Sequence, residues 1–263
     1  MHSVLSFSVR PARIFAFLCA TILVILVFSV VGQYSAHMLD HGRLLGFVHG
    51  FNVDGEGNVP AHFSALMLLS VSILAGVIAI WVRRTDGLFY GHWVGLALIF
   101  FVLAADELNS FHEKLIEPMR TLVDADGILY FAWVVPGMAV VALFGLAYAR
   151  FFWHLPGRWK TLFVVSGLTF VSGAIGVELI GGWYVSHHDA TTFTDVPRFT
   201  YALITTVEEA LEMIGIATFI YALLEYLRVH VGTIRAAFDG GPRETAAVAS
   251  APAAGRAPVE TVA

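Results

Sequence analysis

The chain has 263 residues, of which 58% are hydrophobic and only 13% charged, with a mean hydropathy of +0.77. A soluble domain carries about twice that charged fraction, so the sequence describes an all-α, polytopic membrane protein. The net charge of −5 and the absence of a basic patch exclude nucleic acid as a partner, and a single cysteine, Cys19, excludes disulfides and thiolate metal sites within one chain.

Six apolar runs are long enough to cross a hydrocarbon core of ~30 Å at ~1.5 Å per residue. They cover about 14–33, 62–82, 88–107, 128–149, 161–184 and 199–227. The first follows a basic segment, SVRPAR. It is longer than a signal-peptide core and no A-x-A cleavage site follows, so it is read as a retained transmembrane helix. Arg10, Arg13, Arg83, Arg84, Arg150, Arg158, Lys160, Arg228 and Arg235 fall on one side of this arrangement. On the other side Arg43, Lys114, Arg120 and Arg198 are outnumbered by acids. The positive-inside rule therefore places both termini in the cytoplasm of a multi-pass protein of the bacterial cytoplasmic (inner) membrane. Residues 1–235 form the six-helix domain, and the Ala/Pro-rich tail 236–263 is expected to be disordered.

The loop after the first span, 34–61, contains HMLDH and NVDGEGN. His37 and His41 have the i, i+4 spacing of two ligands on one helical face, although a surface role is the simpler reading. Asn52, Asp54, Glu56 and Gly57 match the opening of an EF-hand loop, but Phe63 stands where the bidentate glutamate belongs. This segment is read as a polar lid over the bundle. The third span is expected to continue as a helix through NSFHEKLIEPMR to about Pro118, with Asp106, Asn109, Ser110 and Glu113 on one stripe. Pro136-Gly137 falls inside the fourth span and predicts a kink there. The fifth span, rich in glycine, is placed at the centre of the bundle because small residues let backbones approach. His92 and His154 are given no role. Glu225 is expected to pair with Arg228, and tryptophans and tyrosines near span ends (Trp81, Tyr90, Trp93, Trp153, Trp159, Trp183, Tyr184) read as an interfacial belt.

The sixth span opens with TTVEEALEMIG. At ~100° per residue Glu208 and Glu212 share a helical face and Glu209 flanks it. Helix capping accounts for one acid at such a position, not three. Asp106, Glu107 and Glu113 with His112 on the third span, and Glu178 on the fifth, bring seven carboxylates to one level of the bilayer, with no Lys or Arg between Thr161 and Pro197. Unpaired carboxylates at this depth cost several kcal/mol each unless a cation or a proton joins them. The predicted site is a divalent metal centre (Zn, Mn or Fe) with His112, Glu178, Glu208, Glu209 and Glu212 as ligands and Asp106 and Glu113 as catalytic acid/base groups. The corresponding activity is a metal-dependent intramembrane hydrolase acting on a lipid-like substrate. Alternatives are a proton- or cation-coupled carrier or channel component, in which the same acids titrate, and an accessory membrane subunit. Whether the chain is an enzyme stays open at this point.

Three motifs, D-E-x4-H-E (Asp106 to Glu113), G-x-E-x3-G (Gly176, Glu178, Gly182) and E-E-x2-E-M-x-G (Glu208 to Gly215), resemble a family of uncharacterised bacterial six-helix membrane proteins. The resemblance covers Asn52 to Tyr226 and implies no activity. A looser likeness, by analogy only, is to the ceramidase-like intramembrane zinc hydrolases, which also place Ser, Asp and His on several helices. This chain departs from them in the dominance of glutamates and the lack of a three-histidine set.

Overall fold

A computed structural model describes residues 5–6, 10–42, 44–188, 195–230 and 235–236. Arg43, the tip of the third predicted outer loop and nearly all of the predicted tail lie outside them. Residues 8–233 form one unit, and residues 1–7 with 234–263 a second, in which Leu5–Ser6 pairs antiparallel with Arg235–Ala236.

Among the described residues of the first unit every regular element is a helix. Its elements are α1 (Pro11–Met38), α2 (Phe47–Phe51), α3 (Val59–Arg84), α4 (Tyr90–Asn109), α5 (Ile116–Val123), α6 (Val134–His154), α7 (Gly157–Val171), α8 (Glu178–His187) and α9 (Asp195–His230). A π-turn, Ser172–Val177, joins α7 to α8 into one crossing. Six crossings are long and apolar enough to span a membrane: Pro11–Met38, Val59–Arg84, Tyr90–Asn109, Val134–His154, Gly157–His187 and Arg198–His230. Residues on the outside of the bundle, such as Phe17, Leu66, Leu143 and Leu146, are large, apolar and more than 60% exposed, which suits hydrocarbon as the surrounding medium.

α9 and α3 form the centre. In their membrane-spanning windows 56% and 44% of residues are buried, against 22% for the glycine-rich fifth crossing. The predicted central place of the fifth crossing is thus corrected: its small residues serve contacts with α9 and, at Gly182, with the 128–131 segment. At Gly173 an added Cβ would lie 2.7 Å from the Glu208 carbonyl, and at Gly215 one would lie 2.7 Å from the Phe170 amide. These close approaches need the missing side chains.

Three other expectations are corrected. α4 stops at Asn109, because Ser110 turns left-handed (φ 50°) and its N–H bonds back to the Asp106 carbonyl. The predicted helical stripe from Asp106 to Glu113 therefore does not form. Pro136 lies in the first turn of α6, where no amide hydrogen is required, and not at its middle. Trp93 and Trp159 are core residues, 1% and 5% exposed, packed with Phe163 and Tyr226 and not turned outward as a belt requires.

The 52–58 loop is pinned to α1. Gln33 Nε2 donates to Asn52 Oδ1 at 2.6 Å, the Val53 amide donates to Ser29 Oγ at 3.1 Å, and Asn58 caps α3 by accepting from the Ala61 amide. Asn52 and Asn58 are thereby engaged within the loop and against α1, and only Asp54 and Glu56 of the calcium-like pattern are turned to the bundle.

Candidate functional site

At the end of the bundle where α4 finishes and α9 begins lies a cavity of about 390 Å³. Nine acidic side chains line it: Asp54, Glu56, Asp106, Glu107, Glu113, Glu178, Glu208, Glu209 and Glu212. Among the described residues His112 is the one basic residue lining it, and no Lys or Arg does. Every residue predicted for the site is thus on its wall, contributed by α4, its following turn, the fifth crossing and α9. Asp54, Glu56 and Glu113 are exposed at the mouth, whereas Glu208 is buried at 9% exposure.

The turn that ends α4 folds His112 back onto Asp106. The carboxylate accepts from the His112 amide at 3.0 Å and pairs with its Nδ1 at 2.7 Å. The ring also rests against Trp133, at 4.9 Å between centroids. Burial alone would lower the pKa of His112. The hydrogen bond and charge of Asp106, with the negative charges of Glu113 and Glu212, outweigh it and hold the pKa above the ordinary histidine value. An imidazole fixed through Nδ1 presents Nε2 to a ligand, the arrangement by which carboxylates orient metal-bound histidines.

The π-turn sets the aim of Glu178. In a continuous α-helix residues 173 and 178 would stand ~140° apart. Hydrogen bonding from i to i+5 widens the turn and brings residues five apart closer to one face, so Gly173 meets α9 while Glu178 reaches the same wall. Trp133 Nε1 donates to Glu178 Oε1 at 2.6 Å, and Glu178 and Glu208 meet carboxyl to carboxyl in hydrogen-bond contact. Two carboxyls can do this only with a proton or another cation between them.

The acids at the mouth are perturbed too. Asp54 is reached by water through the cavity yet ringed by protein. Desolvation, then the charges of Glu178 and Glu113, push its pKa up to about 7. Glu113 is raised by burial and by Glu56, whose side chain it contacts. The basic residues nearby are occupied elsewhere. Arg120 donates to the Tyr130 carbonyl at 2.9 Å and to Glu117 at 3.0 Å, and Lys114 donates to the Asn109 carbonyl at 2.6 Å.

Among the described residues no three His, Cys, Asp or Glu side chains converge as a ready-made metal coordination set. His37 and His41 do not share a helical face. α1 ends at Met38, Asp40 is left-handed (φ 56°), and neither histidine lines the cavity. His49, His62, His187 and His188 also lie off it. At the other end of α9, Glu225 pairs with Arg228 at 2.7 Å, as expected, and also with Arg158 at 3.5 Å.

Sequence reasoning left Asp54, Glu56, Trp133 and Tyr201 out of the site. The signal for the first two was present, as two acids in a glycine-rich loop between crossings. Nothing local marks Trp133 or Tyr201, which reach the cavity through packing.

A family model for a domain of unknown function matches residues 15–226. No curated protein and no solved structure matches the chain.

Proposed function

The chain belongs to the DUF8692 family, a domain of unknown function, and from that starting point we propose a membrane-embedded cation site serving a metal-dependent hydrolase of lipid-like substrates. The observation that carries this reading is the wall of nine acids and one Asp-oriented histidine without an engaged Lys or Arg. His112 through Nε2, with Glu178, Glu208, Glu209 and Glu212, would hold a divalent ion (Zn, Mn or Fe) once their side chains rearrange around it, and the oxygen-rich set favours a hard or borderline metal. Such an ion supplies positive charge that polarises an ester or amide carbonyl and acidifies water. Asp106 fixes the ring of His112. Glu113, whose pKa burial and Glu56 raise above the ordinary carboxylate value, would be the proton acceptor. The basic residues at the opposite helix ends favour a cytoplasmic location for that end, with the cavity opening to the other face of a bacterial inner membrane.

A second reading, a proton- or cation-coupled carrier, draws on the Glu178–Glu208 contact, which needs only a proton. Elemental analysis of purified protein before and after chelation separates the two. A divalent ion at near-unit stoichiometry, reduced in Glu212→Gln and retained in Glu225→Gln, supports the metal site. Absence of metal from the parent, with a proton flux in proteoliposomes that Glu212→Gln abolishes, overturns it in favour of the carrier.

A further inference from the structure

Below the acid cavity lies a second cavity of about 240 Å³, between α4, α6, α7 and α9. The two share Leu103, Val140, Val141, Phe170 and Val171, so they adjoin along one wall. The lower one is apolar. Its one polar side chain among the described residues, Ser166, already donates to the Phe163 carbonyl at 3.0 Å. Along α4 it runs from Leu96 to Leu103, ~10 Å at ~1.5 Å per residue.

The groove also reaches the outside of the bundle. Ile99, Val140 and Val141 line it, and they are 37%, 65% and 37% exposed. They mark a slot between α4 and α6. Towards the other end that slot is closed, where Tyr148 donates to the His92 carbonyl at 3.0 Å and Phe151 packs on Trp93. Both helices are membrane crossings, so the medium facing this slot is lipid hydrocarbon.

We propose that this groove holds the alkyl chain of a single-chain amphiphile that enters from the bilayer between α4 and α6 and places its polar head among the cavity acids. This rests on the reading of the acid cavity as the reaction site and names its substrate class: a long-chain amide or ester, split at the junction of head and chain. An apolar chain in an apolar slot gains much against water but little against lipid. The groove therefore gives register, fixing which bond reaches the acids, more than affinity.

The test uses the full chain in nanodiscs and a long-chain N-acyl amine carrying a diazirine in its chain, with cross-links mapped by mass spectrometry. Gly167 lines the groove and an added Cβ there meets nothing within 4 Å, so Gly167→Leu fills the space without a clash at its Cβ. Gly145 on α6 is equally open but lies outside both cavities, so Gly145→Leu is the control. The expected result is cross-linking at Ile99, Val141 or Phe144 that falls at least fivefold in Gly167→Leu and stays unchanged in Gly145→Leu. Val141→Trp, at a partly exposed position, repeats the test if Gly167→Leu does not fold. Labelling spread over lipid-facing Leu143 and Leu146, or equal in both leucine variants, overturns the proposal. Metal content is measured in the same samples. Groove-specific labelling without metal removes the hydrolase and leaves the alkyl site standing, and metal without groove-specific labelling does the reverse.

Discussion

Asp106 holds His112 twice, through the backbone amide at 3.0 Å and through Nδ1 at 2.7 Å. One carboxylate therefore both ends a membrane helix and orients the only histidine among the described residues of the cavity. The pair makes the turn after α4 part of the site.

Asp106→Asn keeps the size and one acceptor of that side chain but presents an amide N–H where the second acceptor was. His112 then loses its charged partner at Nδ1. Loss of such an orienting carboxylate lowers metal affinity ~10–100-fold. Competition with a fluorescent chelator measures it, and an unchanged affinity would remove His112 from the ligand set.

Gly173→Ala tests the approach of the fifth crossing to α9. Its Cβ would meet the Glu208 carbonyl at 2.7 Å and Glu212 Cγ at 2.9 Å, and the nearer of these is backbone that cannot rotate away. Overpacking of this kind costs ~1–3 kcal/mol. Thermal unfolding in detergent should show a lower Tm for Gly173→Ala and little change for Gly176→Ala, where a Cβ finds open space.

The six crossings were legible because twenty apolar residues in a row have few other uses. The acids on α9 were legible too, since α-helical periodicity is a local property that puts Glu208, Glu209 and Glu212 on neighbouring faces. The turn at Ser110 was not. It depends on side-chain bonds, from the His112 amide to the Asp106 carboxylate and from Asn109 to the Ala105 carbonyl, that compete with helix propagation. The π-turn was hidden for a similar reason. SGAIGV reads as helix, and the extra residue per turn is set by contact with α9. The inward aim of Asp54 follows from Ser29 and Gln33 on α1 holding its neighbours, a long-range effect that NVDGEGN alone does not encode.

Asp54 gives a pH signature. Its folded-state pKa of about 7 lies above the ordinary 3.8, so the folded protein binds the proton more tightly than the unfolded one. Its contribution to stability is therefore greatest below about pH 4 and declines as pH rises towards 7, after which the penalty is constant. Asp54→Asn should flatten that part of the Tm–pH profile and raise Tm at pH 8 relative to the parent. Because water reaches Asp54 through the cavity mouth, the change should be a few degrees rather than a collapse. A parallel profile in both proteins would show that Asp54 titrates normally.

The final prediction concerns orientation. An even number of crossings puts the start of α1 and the end of α9 at one end of the bundle, and the acid cavity at the other. The basic residues Arg83, Arg84, Arg150, Arg158, Lys160 and Arg228 cluster at the end away from the cavity, and the positive-inside rule makes that end cytoplasmic. Two glycines with open space at Cβ suit a labelling test, Gly42 on the cavity side and Gly157 in the α6–α7 turn, in a background carrying Cys19→Ala. In whole cells a membrane-impermeant maleimide should modify Gly42→Cys, and should reach Gly157→Cys only after permeabilisation. The reverse pattern would turn the cavity towards the cytoplasm. The acids would then face a reducing compartment with its own metal and proton supply, and substrates would have to enter from the inner leaflet.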